Sequence, residues 1–301
     1  MEVNFIAADS MGARSMATHI HTKDVDIVID PSVALGPWRY NKPPHPLEVR
    51  RRDELWEQIK FFASGARAIV VTHYHYDHHN PEFIDLFKDK VLFVKNPEDH
   101  INKSQKDRAG FFLGQIEGIP SGIHYSDGDQ FWFNGTRMTF SKPVPHGSNE
   151  KLGYVTEVCI DDGTKFLYTS DIEGPCLQDQ AEFILDSDPD ILYCDGPMTY
   201  MLGFRYAQKF LDASIGYLIR IMEETRVKDI VLDHHLLRDI RWKERVKPVM
   251  NYARSSGVKI YTAAGYMGQK DLAYEARRSE LYKIFPVTGP LLKKGRSPRR
   301  S

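Results

Sequence analysis

Short apolar runs that end in a polar or turn-forming residue alternate along this chain with longer stretches in which apolar residues recur every three or four positions. The opening runs Val3 to Ala7, Ala17 to Thr22 and Val25 to Ile29 predict strands, and the tight Lys23-Asp24 connection makes the last two a hairpin. Leu55, Ile59 and Phe62 set a helical spacing over Glu48 to Phe62. Ala68-Ile69-Val70-Val71, uncharged and preceded by Ser64-Gly65, predicts a buried strand. A strand over Val91 to Val94 and a helix over Pro97 to Phe112 come next. Ile123 to Pro143 predicts a meander turning at Asn134-Gly135, and Tyr154 to Ile160 with Lys165 to Tyr168 a second hairpin. Alternating apolar and polar residues across both hairpins predict a second sheet with one face on the core. The last part changes period: strand Asp190 to Cys194, helix Tyr206 to Glu224, strand Asp229 to Leu232, helix Trp242 to Ala253 and strand Val258 to Tyr261. Between the first helix and the strand before it, residues 36–46 are too proline-rich for regular structure and form a loop, either a flap over a pocket or a surface connection.

The polar residues that close these runs carry the chemistry. Directly after the buried run at 68–71 stands His73-Tyr74-His75-Tyr76-Asp77-His78, with four potential metal ligands. On the end of a strand His73 and His75 point the same way, since side chains alternate with period two. If the chain then turns, Asp77 and His78 swing toward a second position, so one loop can feed two metal ions. His146, Asp171 and His234 or His235 also follow apparent strands, so the strand ends together build one site along a sheet edge. Asp30 closes a strand just before Pro31, where it either accepts hydrogen bonds from the metal loop or forms a turn. His19 and His21 share a face, but no acid follows at the right offset, and they are read as structural. Asn102, Gln105 and Arg108 lie about a helical turn apart and face either an anionic substrate or solvent.

Composition narrows the alternatives. A chain of 301 residues, 42% apolar, holds one large domain or two modest ones. With no repeat or linker to divide it, a single domain over 1–285 and a basic tail over 286–301 are expected. Lysine plus arginine number 40 against 41 acids, so no overall field steers the protein to nucleic acid or a membrane. Its first residues have no leader character and no apolar run reaches membrane-spanning length, which predicts a cytoplasmic protein without membrane partners. Cys159, Cys176 and Cys194, widely spaced and without a C-x-x-C pair, are expected to be reduced and buried.

As a set, an aspartate after an early strand, H-x-H-x-D-H, a lone histidine, a lone aspartate and a final histidine resemble the motifs of the metallo-β-lactamase superfamily over Val3 to about Tyr261. Ser10-Met11-Gly12-Ala13-Arg14-Ser15 is similar to its archaeal hydrolase-like members. The resemblance implies an α/β fold, an αββα sandwich of two mixed β-sheets flanked by helices, with metals at one edge. It implies that His73, His75 and His146 hold one ion, that Asp77, His78 and the final histidine hold another, and that Asp171 bridges them. Neighbours on a strand face opposite ways, so only one of His234 and His235 should ligate; His234 is preferred and His235 is the alternative. Such a donor set suits two divalent ions, zinc first, with iron or manganese able to take its place. The implied activity is hydrolysis in which a metal-bridging hydroxide attacks an ester-type, thioester, amide or phosphodiester substrate. Asp77 would orient the water and carry a proton to the leaving group. The stretch from Asp171 to His234 has no room for the large inserted domain of the superfamily's RNA-processing nucleases. Other phosphodiesters, nucleic acid included, stay open through Arg50 to Arg52, Lys103, Lys106 and the basic tail. The alternative is a non-catalytic protein whose metals only stabilise a binding surface. Asp77, which a closed structural site does not need, argues for the enzyme.

Overall fold

A computed structural model describes residues 1–287. Six strands form the first sheet: β1 (Glu2–Phe5), β2 (Thr18–His21), β3 (Asp26–Ile29), β4 (Ala68–Val71), β5 (Val91–Val94) and β6 (Gly122–Tyr125), in that order across the sheet. Pairing is antiparallel from β1 to β3 and parallel from β3 to β6. The chain then crosses to a second sheet through β7 (Gln130–Phe133) and β8 (Thr136–Phe140), which turn at Asn134-Gly135. A short antiparallel ribbon, β9 (Val144–Pro145) with β10 (Tyr154–Val155), precedes β11 (Val158–Asp161), β12 (Lys165–Tyr168), β13 (Ile191–Asp195), β14 (Asp229–Asp233) and β15 (Lys259–Tyr261). The second sheet runs β15-β14-β13-β12-β11-β8-β7 and is parallel from β12 to β15.

The two sheets face each other, and their alternating side chains make the central core. Along β13, Tyr193 faces inward and meets Phe5 of β1 edge-on at 4.6 Å between ring centroids. Its neighbours Leu192 and Cys194 face outward, against helices α3 (Gln178–Ser187), α4 (Gln208–Glu224) and α6 (Lys247–Ser256). On the far side α1 (Pro46–Gly65) buries Leu55, Ile59 and Ala63, and α2 (Lys103–Gln115) buries Ala109 and Phe112. Helices therefore cover both outer faces, giving four layers in the order αββα. Shorter helices, α5 (Trp242–Arg245), α7 (Ala263–Tyr266) and α8 (Arg278–Ile284), complete the described chain. All three cysteines are free and buried. Among the described residues no helix is long and apolar enough to cross a membrane.

Several elements differ from the sequence expectation for local reasons. Ile123 opens no meander: β6 pairs parallel with β5 and ends the first sheet, and only β7 and β8 form the hairpin. The strand expected over Tyr154 to Ile160 breaks at Thr156, whose N–H donates to the Thr72 carbonyl and ties this segment to the first sheet. The helix expected from Pro97 begins only at Lys103, because Lys95 Nζ claims the Asp99 carbonyl at 2.7 Å and Asn102 then caps the helix. Pro248, in a first turn, starts α6 separately from α5. The 36–46 loop is pinned from behind. Fully buried Arg278 pairs with Glu48 and donates to the carbonyls of Gly36, Pro37 and Lys42. The basic tail expected over 286–301 lies, from residue 288 onward, outside the described residues.

Candidate metal centre

Parallel pairing decides where the site forms. Strands β3 and β4 of one sheet and β12, β13 and β14 of the other run parallel within their sheets, so each group delivers its carboxyl ends to a single edge. Asp30, His73, Asp171, Asp195 and His234 all lie at or just past those ends. After β4 the chain is fixed by Asp30, which accepts from Thr72 N–H at 2.8 Å and Thr72 Oγ1 at 2.6 Å. Tyr74 turns the other way, is fully buried, and donates its hydroxyl to the Lys95 carbonyl. A turn in which the His75 carbonyl accepts from His78 and His79 N–H then brings Asp77 and His78 round.

Around Asp171 the imidazoles gather in two groups. His73, His75 and His146, with Asp171, have ligand atoms all within 4.8 Å of one another, and so do Asp77, His78 and His234. Asp171 divides its oxygens between them. Oδ1 lies 3.0 Å from His78 Nε2 and 3.3 Å from His234 Nε2, while Oδ2 lies 3.2 Å from His146 Nε2 and 3.6 Å from His73 Nε2. These pairs are close but misaligned for hydrogen bonding: Nε2 of His73, His78 and His146 and Oδ1 of Asp171 are buried without a hydrogen-bond partner. Buried polar atoms are almost always paired. Donors that converge on common points rather than on each other fit a cation between them, and the all-nitrogen and oxygen set suits a borderline divalent ion.

The outer ring nitrogens are held in turn. His78 Nδ1 meets Asp30 at 2.8 Å, His234 Nδ1 meets Asp9 at 2.8 Å and His235 Nδ1 meets Asp195 at 2.9 Å. Carboxylates behind the rings orient them and raise their basicity. Asp30 is thus no simple turn-former: fully buried, it also accepts from Tyr168 Oη at 2.7 Å. His19 and His21 lie elsewhere and both meet Asp26.

No protein-family model matches the chain. A UPF0282 protein of Korarchaeum cryptofilum is 49% identical over 289 residues, which cover 95% of this chain and 96% of that one. The chain belongs to the UPF0282 family. Two solved structures share the fold of this UPF0282 chain at low identity. One is a possible metal-dependent hydrolase from Veillonella parvula, with 17% identity, a TM-score of 0.52 and coverage of 83% of this chain and 94% of that one. The other is an isothiocyanate hydrolase from Delia radicum gut bacteria, with 14% identity, a TM-score of 0.53 and coverage of 84% and 94%. The fold is the αββα sandwich that the resemblance to the metallo-β-lactamase superfamily implied.

In this UPF0282 chain His234 and His235 depart from the strand geometry used to choose between them. His234 has φ 51 and begins a 3-10 turn (His234–Arg238), so the two rings lie 4.6 Å apart instead of on opposite faces. His234 reaches the Asp77 group, and His235 joins His234 and Asp171 in a third cluster within 4.8 Å. Arg238 Nη2 also approaches His234 Nε2 at 3.1 Å, and a cation at that lone pair would displace it.

Charge and burial explain the titration of these groups. Burial, then the neighbouring His78 and His75, holds His73 well below the usual histidine range, leaving its lone pair free. Burial works against protonation of His78 and His234 too, but Asp171 overrides it, so His78 is raised and His234 is pushed up to about 10. Burial raises the Asp77 carboxyl, yet His78, His234 and Arg238 together hold it well below the ordinary carboxylate range. Burial pushes Glu173, near His146, up to about 7. Its carboxyl fills space that only Gly147 leaves open: a Cβ there would lie 2.2 Å from Oε2.

Four participants escaped the sequence reading. Asp9, Arg238, Asp195 and Glu173 sit in no ligand motif, and only the packing of distant segments reveals them. The one local signal was position: Asp195 closes a strand just as Asp171 follows one.

Proposed function

We propose that this protein is a hydrolase working with two divalent ions, one held by His73, His75 and His146, the other by Asp77, His78 and His234, with Asp171 shared. The observation that carries this reading is the division of Asp171, one oxygen toward each group of imidazoles. Bound there, such ions polarise an acyl or phosphoryl oxygen and acidify water to near neutrality. The chain's own residues do the rest. Asp77 stays ionised beside His78, His234 and Arg238 and keeps 16% of its side chain exposed toward the cavity, so it can take a proton from water and pass it to a leaving group. Asp9, Asp30 and Asp195 fix ring orientation from behind. A small-molecule ester, thioester, amide or phosphodiester suits the cavity of about 430 Å³ over the cluster. Zinc is the first choice of ion, with iron or manganese able to take its place on the same donors.

The test is to reconstitute the protein with each metal, count ions per chain, and screen phosphodiester, thioester, lactone and amide reporters against Asp77→Ala. Two ions and turnover that vanishes in the variant support the reading. One closed ion without turnover supports the metal-stabilised binding protein instead.

A further inference from the structure

The cavity over the cluster is lined by four arginines, Arg14, Arg108, Arg205 and Arg238, and they fall into two kinds. Arg14 is neutralised by Glu275, with contacts of 2.6 and 2.7 Å, and Arg238 by Asp9 at 2.9 Å. Arg108 and Arg205 have no carboxylate partner among the described residues. Arg108, half-buried on α2, lays its guanidinium 5.1 Å over the Tyr76 ring and sends Nη1 toward the Tyr74 carbonyl at 3.5 Å. Both contacts are to the loop that carries His73, His75 and Asp77, and neither offsets its charge. Arg205 comes from the other sheet's side, on the exposed turn between the 3-10 segment Thr199–Met201 and α4, with only the Phe204 ring 5.6 Å away.

Arg108 is a guanidinium held in place without a counter-ion, and Arg205 is an exposed one; both stand at the wall of a concave site, where such groups meet an anion supplied from outside. Of the three acids that line this cavity, cations on the cluster would offset Asp77 and Asp171, and Glu173 lies against His146, so among the described residues none pairs with Arg108 or Arg205. Leu35, Met198 and Met201 add apolar wall to the same cavity.

We infer that Arg108 and Arg205 form a clamp for an anionic group on the substrate, a carboxylate or a phosphate carried on a small apolar body beside the hydrolysed bond. This rests on reading the cavity as the hydrolase's substrate site. It makes the two arginines specificity-determining residues that contact a part of the substrate that does not react.

The test uses metal-loaded full-length protein, with Arg108→Ala, Arg205→Ala, the double variant and Arg108→Lys. Calorimetric titration with glutarate and with inorganic phosphate reads binding without turnover. In parallel, kcat/KM is compared on 4-nitrophenyl butyrate, which is neutral, and mono-4-nitrophenyl glutarate, its anionic counterpart. Each alanine variant is expected to bind the tighter anion about tenfold more weakly, with the double variant weaker still and Arg108→Lys intermediate. The tighter of the two anions identifies the group as carboxylate or phosphate. Arg205→Ala, whose side chain touches no part of the metal loop, is expected to keep its kcat/KM on the neutral ester. Unchanged binding of both anions in the double variant overturns the clamp, as does an equal loss on the neutral and anionic esters. If wild-type protein turns over neither these esters nor the phosphodiester, thioester, lactone and amide reporters, yet binds an anion in an arginine-dependent way, the hydrolase reading falls and the clamp stands.

Discussion

Asp9 Oδ2 lies 2.8 Å from Nδ1 of His234, a residue 225 positions further along the chain. With that nitrogen engaged, the opposite one, Nε2, faces Asp171 at 3.3 Å and Asp77 at 3.8 Å. The other Asp9 oxygen accepts from Arg238 Nε at 2.9 Å. Burial raises the Asp9 carboxyl, but Arg238 and His234 outweigh it, and the acid stays ionised below its ordinary range. One carboxylate therefore sets both the tautomer of a candidate ligand and the position of a buried cation.

Asp9→Asn keeps the shape and removes the charge. Loss of a group that orients a ligand costs roughly 10- to 100-fold in metal affinity. Competition with a chromophoric chelator is expected to show that loss for one of the two ions, with the far-ultraviolet spectrum unchanged. Wild-type affinity for both would remove Asp9 from the account.

His234 and His235 are separable by counting ions. His234 faces Asp77 and Asp171 through Nε2, whereas His235 reaches only the margin of the cluster and is tied to Asp195. His234→Ala is expected to retain one zinc per chain after dialysis and His235→Ala two, by atomic emission. The reverse result would exchange their roles.

Asp30 gathers four donors in a fully buried place: Thr72 N–H, Thr72 Oγ1, Tyr168 Oη and His78 Nδ1. Removing the acceptor strands them, at about 1–3 kcal/mol for each left unmet. Asp30→Ala is expected to lower unfolding free energy by about 3 kcal/mol or more, read from the denaturant midpoint of metal-free protein. A loss below about 1 kcal/mol would show that water replaces the carboxylate.

Glu275 gives a pH-dependent signature away from the cluster. Burial raises its carboxyl, but Arg14, Arg238 and Arg39 outweigh burial and lower it to about 2 from an ordinary 4.5. A depressed carboxyl stabilises the fold fully above its unfolded value, and that contribution fades as pH falls from about 4.5 toward 2. The shift corresponds to about 3 kcal/mol near neutrality. Glu275→Gln is expected to be less stable than wild type by about that amount at pH 7 and to converge with it as the solution is acidified. A gap that stays constant down to pH 3 would assign the loss to packing.

Period and chemistry made much of the protein legible from residues alone. The uncharged run at 68–71 reads as a buried strand, and the four candidate ligands that follow within six positions hang off its carboxyl end. Boundaries were less legible where a distant residue intervened. Lys95 delays the start of α2, and Thr156 breaks a strand to reach Thr72; no local pattern records either contact.

The sequence by itself determined most of the strands, the longer helices and the candidate ligands, because burial periodicity and ligand chemistry are properties of short segments; the layering of two sheets under helices came from the family resemblance. Only the tertiary structure decided that His234 and His235 sit side by side, since a left-handed residue and a 3-10 turn replace the strand there. It alone brought Asp9, Asp195 and Arg238 behind the histidines, and it alone left Arg108 and Arg205 without a carboxylate partner among the described residues. Pairing between residues hundreds of positions apart depends on how sheets stack and which strand ends share an edge, and that is a property of the whole packed chain.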